Sequence, residues 1–237
     1  MAEFSLLIPH DDRGDAHRNA LAAWTEAYWR ARLPEAEVIV AGVGADPPNR
    51  SANRNLLARM ASTDLLAFID ADAISSVAAV RRAVAWSRKE SLVKFAGVNW
   101  VSARATKALL AQDPTGEVRV MPGDITHDNA ELWGLGFFMR REVLEAVGGW
   151  DERFVGWGHE DPSLTMAVNT LVAPMVRIPD WCFHLWHPRE TDGGEHDKTT
   201  PGFLRNRELG LRYRALEGQV EAMRELIGLP PAQGRQS

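Results

Sequence analysis

Short apolar runs alternate with amphipathic segments along the first hundred residues, and that alternation predicts the architecture before any motif is considered. Phe4 to Ile8 is an apolar run closed by Pro9, the mark of a buried first strand, with a loop from His10 to Arg13. From Ala16 to Arg32 the positions Leu21, Trp24, Tyr28 and then Leu33 recur at spacings near three and four, which predicts a helix. Val38 to Ala41 is the second strand, Gly42 to Asn49 the loop at its C-terminal end, and Ser51 to Ala61 a second helix. Leu65 to Ile69 is the third strand and runs into Asp70-Ala71-Asp72; Val77 to Lys89 then predicts a helix and Leu92 to Val98 a strand. This β-α-β-α-β order implies an α/β fold with a mostly parallel, Rossmann-like sheet flanked by helices, whose ligands gather at the carboxyl ends of the strands. The loops Pro9 to Arg13, Asp46 to Arg50 and Asp70 to Asp72 are therefore expected along one edge.

The second half is less regular. From Thr106 to Glu131 the pattern is interrupted by Pro114, Gly116, Pro122 and Gly123, so hairpins and loops are expected there. Leu135 to Met139 predicts a strand, Arg141 to Val147 a short helix stopped by Gly148-Gly149, and Asp161 to Leu171 a helix with Pro162 in its first turn. Two further strands are expected around Val176 to Ile178 and at Cys182 to Trp186. The polar, glycine-bearing stretch Pro188 to Gly202 suggests a mobile lid, Phe203 to Ile227 one or two closing helices, and 230–237 a flexible tail. With no internal repeat and no dividing linker, residues 1–229 are expected to form one domain.

Composition narrows the function. A chain of 237 residues with 45% hydrophobic content can bury a sizeable core. A formal charge of −5 without any long Lys/Arg run argues against nucleic acid as a partner, since phosphate backbones demand a basic surface. A single nucleotide needs only a few arginines and one cation. The N-terminal apolar run lacks a basic flank and is too short for a signal peptide or membrane span, so a cytoplasmic protein is expected. Cys182 is the only cysteine, which excludes an intrachain disulfide or a Cys-rich zinc site. Nine tryptophans stand against two tyrosines, and most of them serve a core; Trp133, Trp157 and Trp186 differ because each adjoins a glycine or a polar candidate, where an indole can stack on a sugar.

Candidate chemistry lies at three places. Asp70 and Asp72, delivered by a buried strand, can hold a hard cation that in turn grips two phosphates, although Asp-x-Asp also occurs in plain surface turns. His184 and His187 offer an imidazole ligand, a mixed oxygen and nitrogen set that suits manganese; one is expected to bind and the other to support it, with His184 favoured, while the competing role for either ring is a structural one in a hydrophobic strand. Glu160-Asp161 can be a simple helix N-terminal charge pair. Flanked by Gly156-Trp157-Gly158, it also places a carboxylate beside a sugar-sized aromatic surface, where Asp161 can take a proton from an acceptor hydroxyl and Glu160 can orient that acceptor. Arg13, Arg50 and Arg54 sit in or just after the first two ligand-edge loops and can fork onto base, ribose or phosphates; singly each also fits a solvated surface charge. Asp46 can contact base or ribose, or merely start the turn before Pro47-Pro48.

On these residues the chain resembles the glycosyltransferases of GT-A fold, above all the β-1,4-galactosyltransferase family with the related module of polypeptide N-acetylgalactosaminyltransferases and chondroitin-type polymerases. Ile8-Pro9-His10-Asp11-Asp12-Arg13 is similar to the family's first-strand loop, Pro-x-x-x-Arg, and Asn49-Arg50 with Asn55 to its second nucleotide-binding segment. Asp70-Ala71-Asp72 takes the place of the Asp-x-Asp metal motif, and Gly156-Trp157-Gly158-His159-Glu160-Asp161 that of the Gly-Trp-Gly-x-Glu-Asp motif. The stretch Phe137 to Asp161 carries the most specific part of a likeness that spans roughly residues 4 to 190. Pro162-Ser163 depart from the further acids usual after Glu-Asp, which puts acceptor contacts in doubt.

The resemblance implies a metal-dependent transfer of a hexose or N-acetylhexosamine from a UDP-sugar to a hydroxyl of a saccharide, glycoprotein or other acceptor, with inversion. Residues 1–100 would form the nucleotide-sugar half and 101–229 the acceptor and catalytic half. Asp72 with Asp70 and a histidine would hold Mn2+ or Mg2+, Trp157 would touch sugar, Asp161 would be the base, and Pro9, Arg13, Asp46, Arg50, Arg54, Asn55, Asp70, Trp133 and Gly134 would line the donor pocket. A retaining transferase of the same fold, a sugar-nucleotide hydrolase or nucleotidyltransferase, and a non-catalytic carbohydrate-binding module remain the alternatives.

Overall fold

The computed structural model describes residues 2–12, 14–130, 134–188 and 197–231. Phe4–Pro9 (β1) pairs in parallel with both Ala36–Ala41 (β2) and Leu65–Ile69 (β3), and Ala16–Arg32 (α1) and Arg50–Met60 (α2) connect them as the apolar spacing requires. After the two-residue strand Ala73–Ile74 (β4) come Val77–Ser87 (α3), Val93–Val101 (β5), Ala103–Leu110 (α4), Ile125–Ala130 (β6) and Gly136–Arg140 (β7). Arg141–Ala146 (α5), Glu160–Leu171 (α6), Val176–His184 (β8), Pro201–Ala215 (α7) and Val220–Leu226 (α8) complete the chain. The strands lie in the order β2-β1-β3-β7-β5-β8-β4, with β6 beside β5. Pairing directions make β1, β2, β3, β5 and β8 run one way and β4, β6 and β7 the other. The sheet is thus mixed, where the alternation of elements implied a mostly parallel one.

Strand alternation divides the core into two layers. On β3, Leu65, Ala67 and Ile69 face a cluster with Leu21, Trp29 and Val80, while Leu66 and Phe68 face another with Leu57, Phe137, Trp150 and Val168. Helix starts are set by side-chain caps: Asp15 accepts from the His17 and Arg18 amides, Asn49 from Ala52, Ser76 from Ala79, Ser102 from Ala105 and Thr200 from Phe203.

Several boundaries differ from expectation. Ser102 caps a real helix, α4, whose Ala105 and Leu109 are buried, and β6 follows within the stretch assigned to hairpins and loops. The two strands expected after Val176 are one, because a register shift between Phe95 and Gly97 of β5 absorbs Pro179 and lets pairing resume at Trp181. The closing segment is two helices separated at Gly218, whose φ of 81° is left-handed. Of the expected lid, residues 189–196 lie outside the described residues, and Pro201 and Gly202 already belong to α7. Nearly all of the expected tail lies outside them as well. Among the described residues, no helix is long and apolar enough to cross a membrane.

Because five strands share one direction, Pro9, Ala41, Ile69, Val101 and His184 all end at the same edge of the sheet. The turn after β3 and the exit from β8 are delivered there together.

Candidate functional site

Asp72 lies within the turn in which the Ala73 amide donates to the Asp70 carbonyl, and its own carbonyl accepts from the Leu185 amide at 2.8 Å. This ties the end of β3 to the end of β8, where His184 stands in register with Ala73 and Trp100. His184 Nε2 lies 3.8 Å from Asp72 Oδ1, and His187 Nε2 lies 3.4 Å from Asp72 Oδ2. The His187 Nδ1–H donates to the Pro188 carbonyl at 2.8 Å, which turns Nε2 toward the Asp72 carboxylate. Among the described residues, Asp72 Oδ1 is buried without a hydrogen bond, and a buried carboxylate oxygen needs a cation or a proton to compensate it. Ligand atoms of all three residues lie within 4.8 Å of one another, so the donor set fits a divalent cation that accepts oxygen and nitrogen. Burial alone would raise the Asp72 pKa; the neighbouring His184 and His187, with Arg18 and Arg50, outweigh it and hold the carboxyl below its ordinary range.

Asp70, expected beside Asp72 on the metal, goes elsewhere. Arg54 on α2 is 1% exposed and lies across the Trp150 ring, 4.3 Å from its centroid. Its Nη2 meets Asp70 Oδ1 and its Nη1 meets Asp161 Oδ1, both at 3.0 Å. One guanidinium thus joins the turn after β3 to the first turn of α6. Burial pushes the Asp161 carboxyl up to about 7; Arg54 opposes that rise, and the negative charges of Glu160 and Asp70 add to it. A second buried cation, Lys94 of β5, lies with its Nζ 4.2 Å from the Phe137 ring centroid, and burial lowers its pKa.

The segment leading into α6 is held from two sides. The Gly156 amide donates to the Pro48 carbonyl at 2.7 Å, and Arg50 Nη1 donates to the Gly156 carbonyl at 3.1 Å. From α7, Asn206 Nδ2 donates to the carbonyls of Val155 and Trp157, and Phe203 stacks on Trp157 with centroids 5.3 Å apart. Gly158 at φ 105° faces Phe203, and a Cβ there would stand 2.9 Å from the ring. Glu160, only 7% exposed, accepts from the Gly158 amide at 3.0 Å, so its side chain closes the turn that presents Asp161. Gly134 is needed for close approach: a Cβ would lie 2.6 Å from Asp161 Oδ2.

A cavity of about 440 Å³ opens at this edge. Of the sequence candidates, Pro9, Arg50, Arg54, Asp70, Asp72, Gly134, Trp157, Glu160, Asp161, His184 and His187 line it. Asp46 is exposed and does not line it. Asn55 is also absent from its wall: its amide donates to the Trp150 carbonyl and to Glu152, and its Oδ1 accepts from the Trp150 amide, so it braces the approach to the Gly-Trp-Gly segment. Trp186 packs edge-on against His17 instead of lining the cavity. Arg13 and Trp133 lie outside the described residues.

Sequence reasoning missed Asp11, Arg18 and Asn53 on the cavity wall, and the buried Lys94 of β5. Asp11 accepts from the Gly44 amide and from Asn53 Nδ2, both at 2.8 Å, which joins the loops after β1 and β2. The signal for Lys94 was available, since it is the one charge inside the apolar run Leu92 to Ala96.

No protein-family model matches the sequence, and no curated protein matches it. Solved structures do share the fold. The catalytic domain of Drosophila β1,4-galactosyltransferase 7, in complex with xylobiose, superposes with a TM-score of 0.58 at 16% identity, over 87% of this chain and 80% of that one. GalNAc-T7 with UDP, GalNAc and Mn2+ gives 0.53 at 12% identity, over 95% of this chain and 49% of that one. The Pyrobaculum calidifontis mannosyltransferase PcManGT, in complex with GDP-Man and Mn2+, gives 0.52 at 16% identity, over 95% and 68%. The fold is therefore the GT-A fold of these enzymes.

Proposed function

We propose that this protein is a metal-dependent glycosyltransferase that moves a hexose or N-acetylhexosamine from a UDP-sugar to an acceptor hydroxyl with inversion. One observation carries the reading: a cation-ready triad, Asp72, His184 and His187, and a buried carboxylate, Asp161, open into the same cavity from opposite ends of a bridge made by Arg54 and Asp70. Support comes also from the shared fold, since the Drosophila galactosyltransferase has been captured with manganese, UDP-Gal and xylobiose.

Asp72, His184 and His187 would hold the cation, manganese or magnesium, which supplies positive charge to the departing diphosphate. Arg18 and Arg50 line the same cavity and reinforce the anion's binding, while Trp157, backed by Phe203, offers a flat face to the sugar. Asp161 accepts the proton of the acceptor hydroxyl as that oxygen bonds to the anomeric carbon. The bond from that carbon to the diphosphate oxygen breaks, and its electron pair leaves with the nucleotide. A carboxyl pushed up to about 7 suits this task, because it is partly deprotonated at neutral pH yet basic enough to take the proton. Glu160 holds the turn under Trp157 and Asp161 and so orients both.

A panel of nucleotide sugars, with and without manganese, tests this through thermal shift and released nucleoside diphosphate. One donor is expected to raise the melting temperature in a manganese-dependent way and to release diphosphate faster when an acceptor saccharide is added. Asp161→Asn should keep the thermal shift and lose turnover by roughly 10²–10⁴. Undiminished turnover in that variant would remove Asp161 as base, and release equally fast without acceptor would make the protein a hydrolase.

A further inference from the structure

Lys94 is 1% exposed on the central strand β5, between Val93 and Phe95, which face the opposite apolar layer. Its own side of the sheet is the layer that holds Leu66, Phe137 and Trp150. Burying an ammonium there is costly, and methionine would fill the same volume without that cost. Lys94 Nζ and Arg54 Cζ lie 4.2 and 5.7 Å from the centroid of one ring, Phe137, so the two cations pack against the same side chain, and Arg54 carries the contact on to Asp70 and Asp161. Charge explains the arrangement. Asp70, Glu160 and Asp161 bring three carboxylates against the single positive charge of Arg54, and Lys94 adds a second cation that reduces this excess of negative charge. The charged groups that act on Lys94 come from every neighbouring element: Asp161 of α6 most strongly, then Arg177 of β8, Arg54 of α2 and Asp70 after β3. Asp161 in turn answers to Arg54, Glu160, Asp70 and Lys94.

We propose that Lys94 is a positioning residue of the transfer site, the second buried cation that keeps Asp161 an ionised acceptor of protons while Arg54 holds it in place. The proposal rests on Asp161 being the base.

Lys94→Met tests this in the full-length protein. Removing the ammonium takes away an influence that lowers the Asp161 pKa, so the alkaline-rising limb of kcat/KM should move up by about one pH unit. With Asp161 at about 7, a one-unit rise takes its ionised fraction at pH 7 from about one half to about one tenth, so turnover there should fall about fivefold and recover by about pH 9, while calorimetry finds binding of UDP with manganese unchanged. A lowered melting temperature with an unmoved limb would mean that Lys94 only fills space, and the proposal would fail. A second measurement covers a variant that does not fold: the 13Cε resonance of Lys94 is titrated in the wild type and in Asp161→Asn. Loss of the Asp161 charge should lower the Lys94 midpoint by about one unit, and an unmoved midpoint would overturn the coupling. If the wild type turns over no sugar nucleotide, the transferase reading falls, and the resonance still decides whether Lys94 and Asp161 act on each other.

Discussion

Arg54 is the most informative single residue to remove. Arg54→Met keeps the length and much of the contact with Trp150 and Phe137, but it deletes the cation that meets both Asp70 and Asp161 at 3.0 Å. The partners' side chains are 27% and 17% exposed, so water replaces the lost bonds only in part. Breaking one side of a buried ion pair costs about 3–5 kcal/mol, which in a chain of this size corresponds to a drop in melting temperature of about 6–20 °C. The loss should depend on pH with a definite sign. Asp161 titrates at about 7 in the folded protein against an ordinary value of 3.8, so the folded state binds that proton more tightly, and stability falls as pH rises from 3.8 to about 7. Without Arg54 the folded value climbs further and the fall continues past neutrality. The gap between variant and wild type should then widen above pH 7 by about 1.4 kcal/mol per unit until the variant's own Asp161 has ionised. Urea denaturation at pH 5, 7 and 8.5 measures it. A gap that is the same at all three values, or one below about 1 kcal/mol, would refute the view that Arg54 exists to hold an ionised Asp161.

Two other outcomes follow from the site's geometry. Asp72→Asn and His187→Ala should each abolish the manganese-dependent rise in melting temperature while leaving the metal-free melting temperature within a few degrees, and manganese stabilisation undiminished in both would place the cation elsewhere. Gly134→Ala sets a Cβ 2.6 Å from Asp161 Oδ2, so the carboxylate must swing away; turnover should fall by about 10²-fold with donor binding intact, and a fully active variant would show that Asp161 is not confined by the Gly134 segment.

The fold was legible where a segment's burial is decided locally. β3 is bounded by Leu65 and Ile69 in both sequence and structure, and α1 by Ala16 and Arg32, because each carries an unbroken apolar period with a polar cap or turn at its end. β8 was split in the sequence at Pro179, since a proline inside a strand argues against one. What rescues pairing is a register shift set by β5, which lies some eighty residues earlier in the chain and leaves no mark near Pro179. α4 was missed because only its cap and three buried positions distinguish it from the broken stretch that follows.

The same distinction governs the site. Asp72, His184, His187, Trp157 and Asp161, singled out in the sequence by residue type and immediate neighbours, line one cavity because the parallel strands carry the edge residues together. Partner choice was not legible. Asp70 and Asp72 are two residues apart and equally able to bind a cation, yet the turn after β3 sends one to the histidines and the other to Arg54, and nothing in the tripeptide distinguishes them. Arg54 looked like a nucleotide contact because an exposed arginine was the natural assumption near a ligand loop. Its actual burial depends on two acceptor-bearing segments, the turn after β3 and the start of α6, meeting beside Trp150, a long-range property. Lys94 shows what local reading can still recover: a charge inside a run that must be buried is costly in every fold that buries it, so it demands a compensating partner before that partner is known. Here the charged neighbour that acts on it most strongly is Asp161, the proposed base, which is why a residue conspicuous on stability grounds points to that carboxylate.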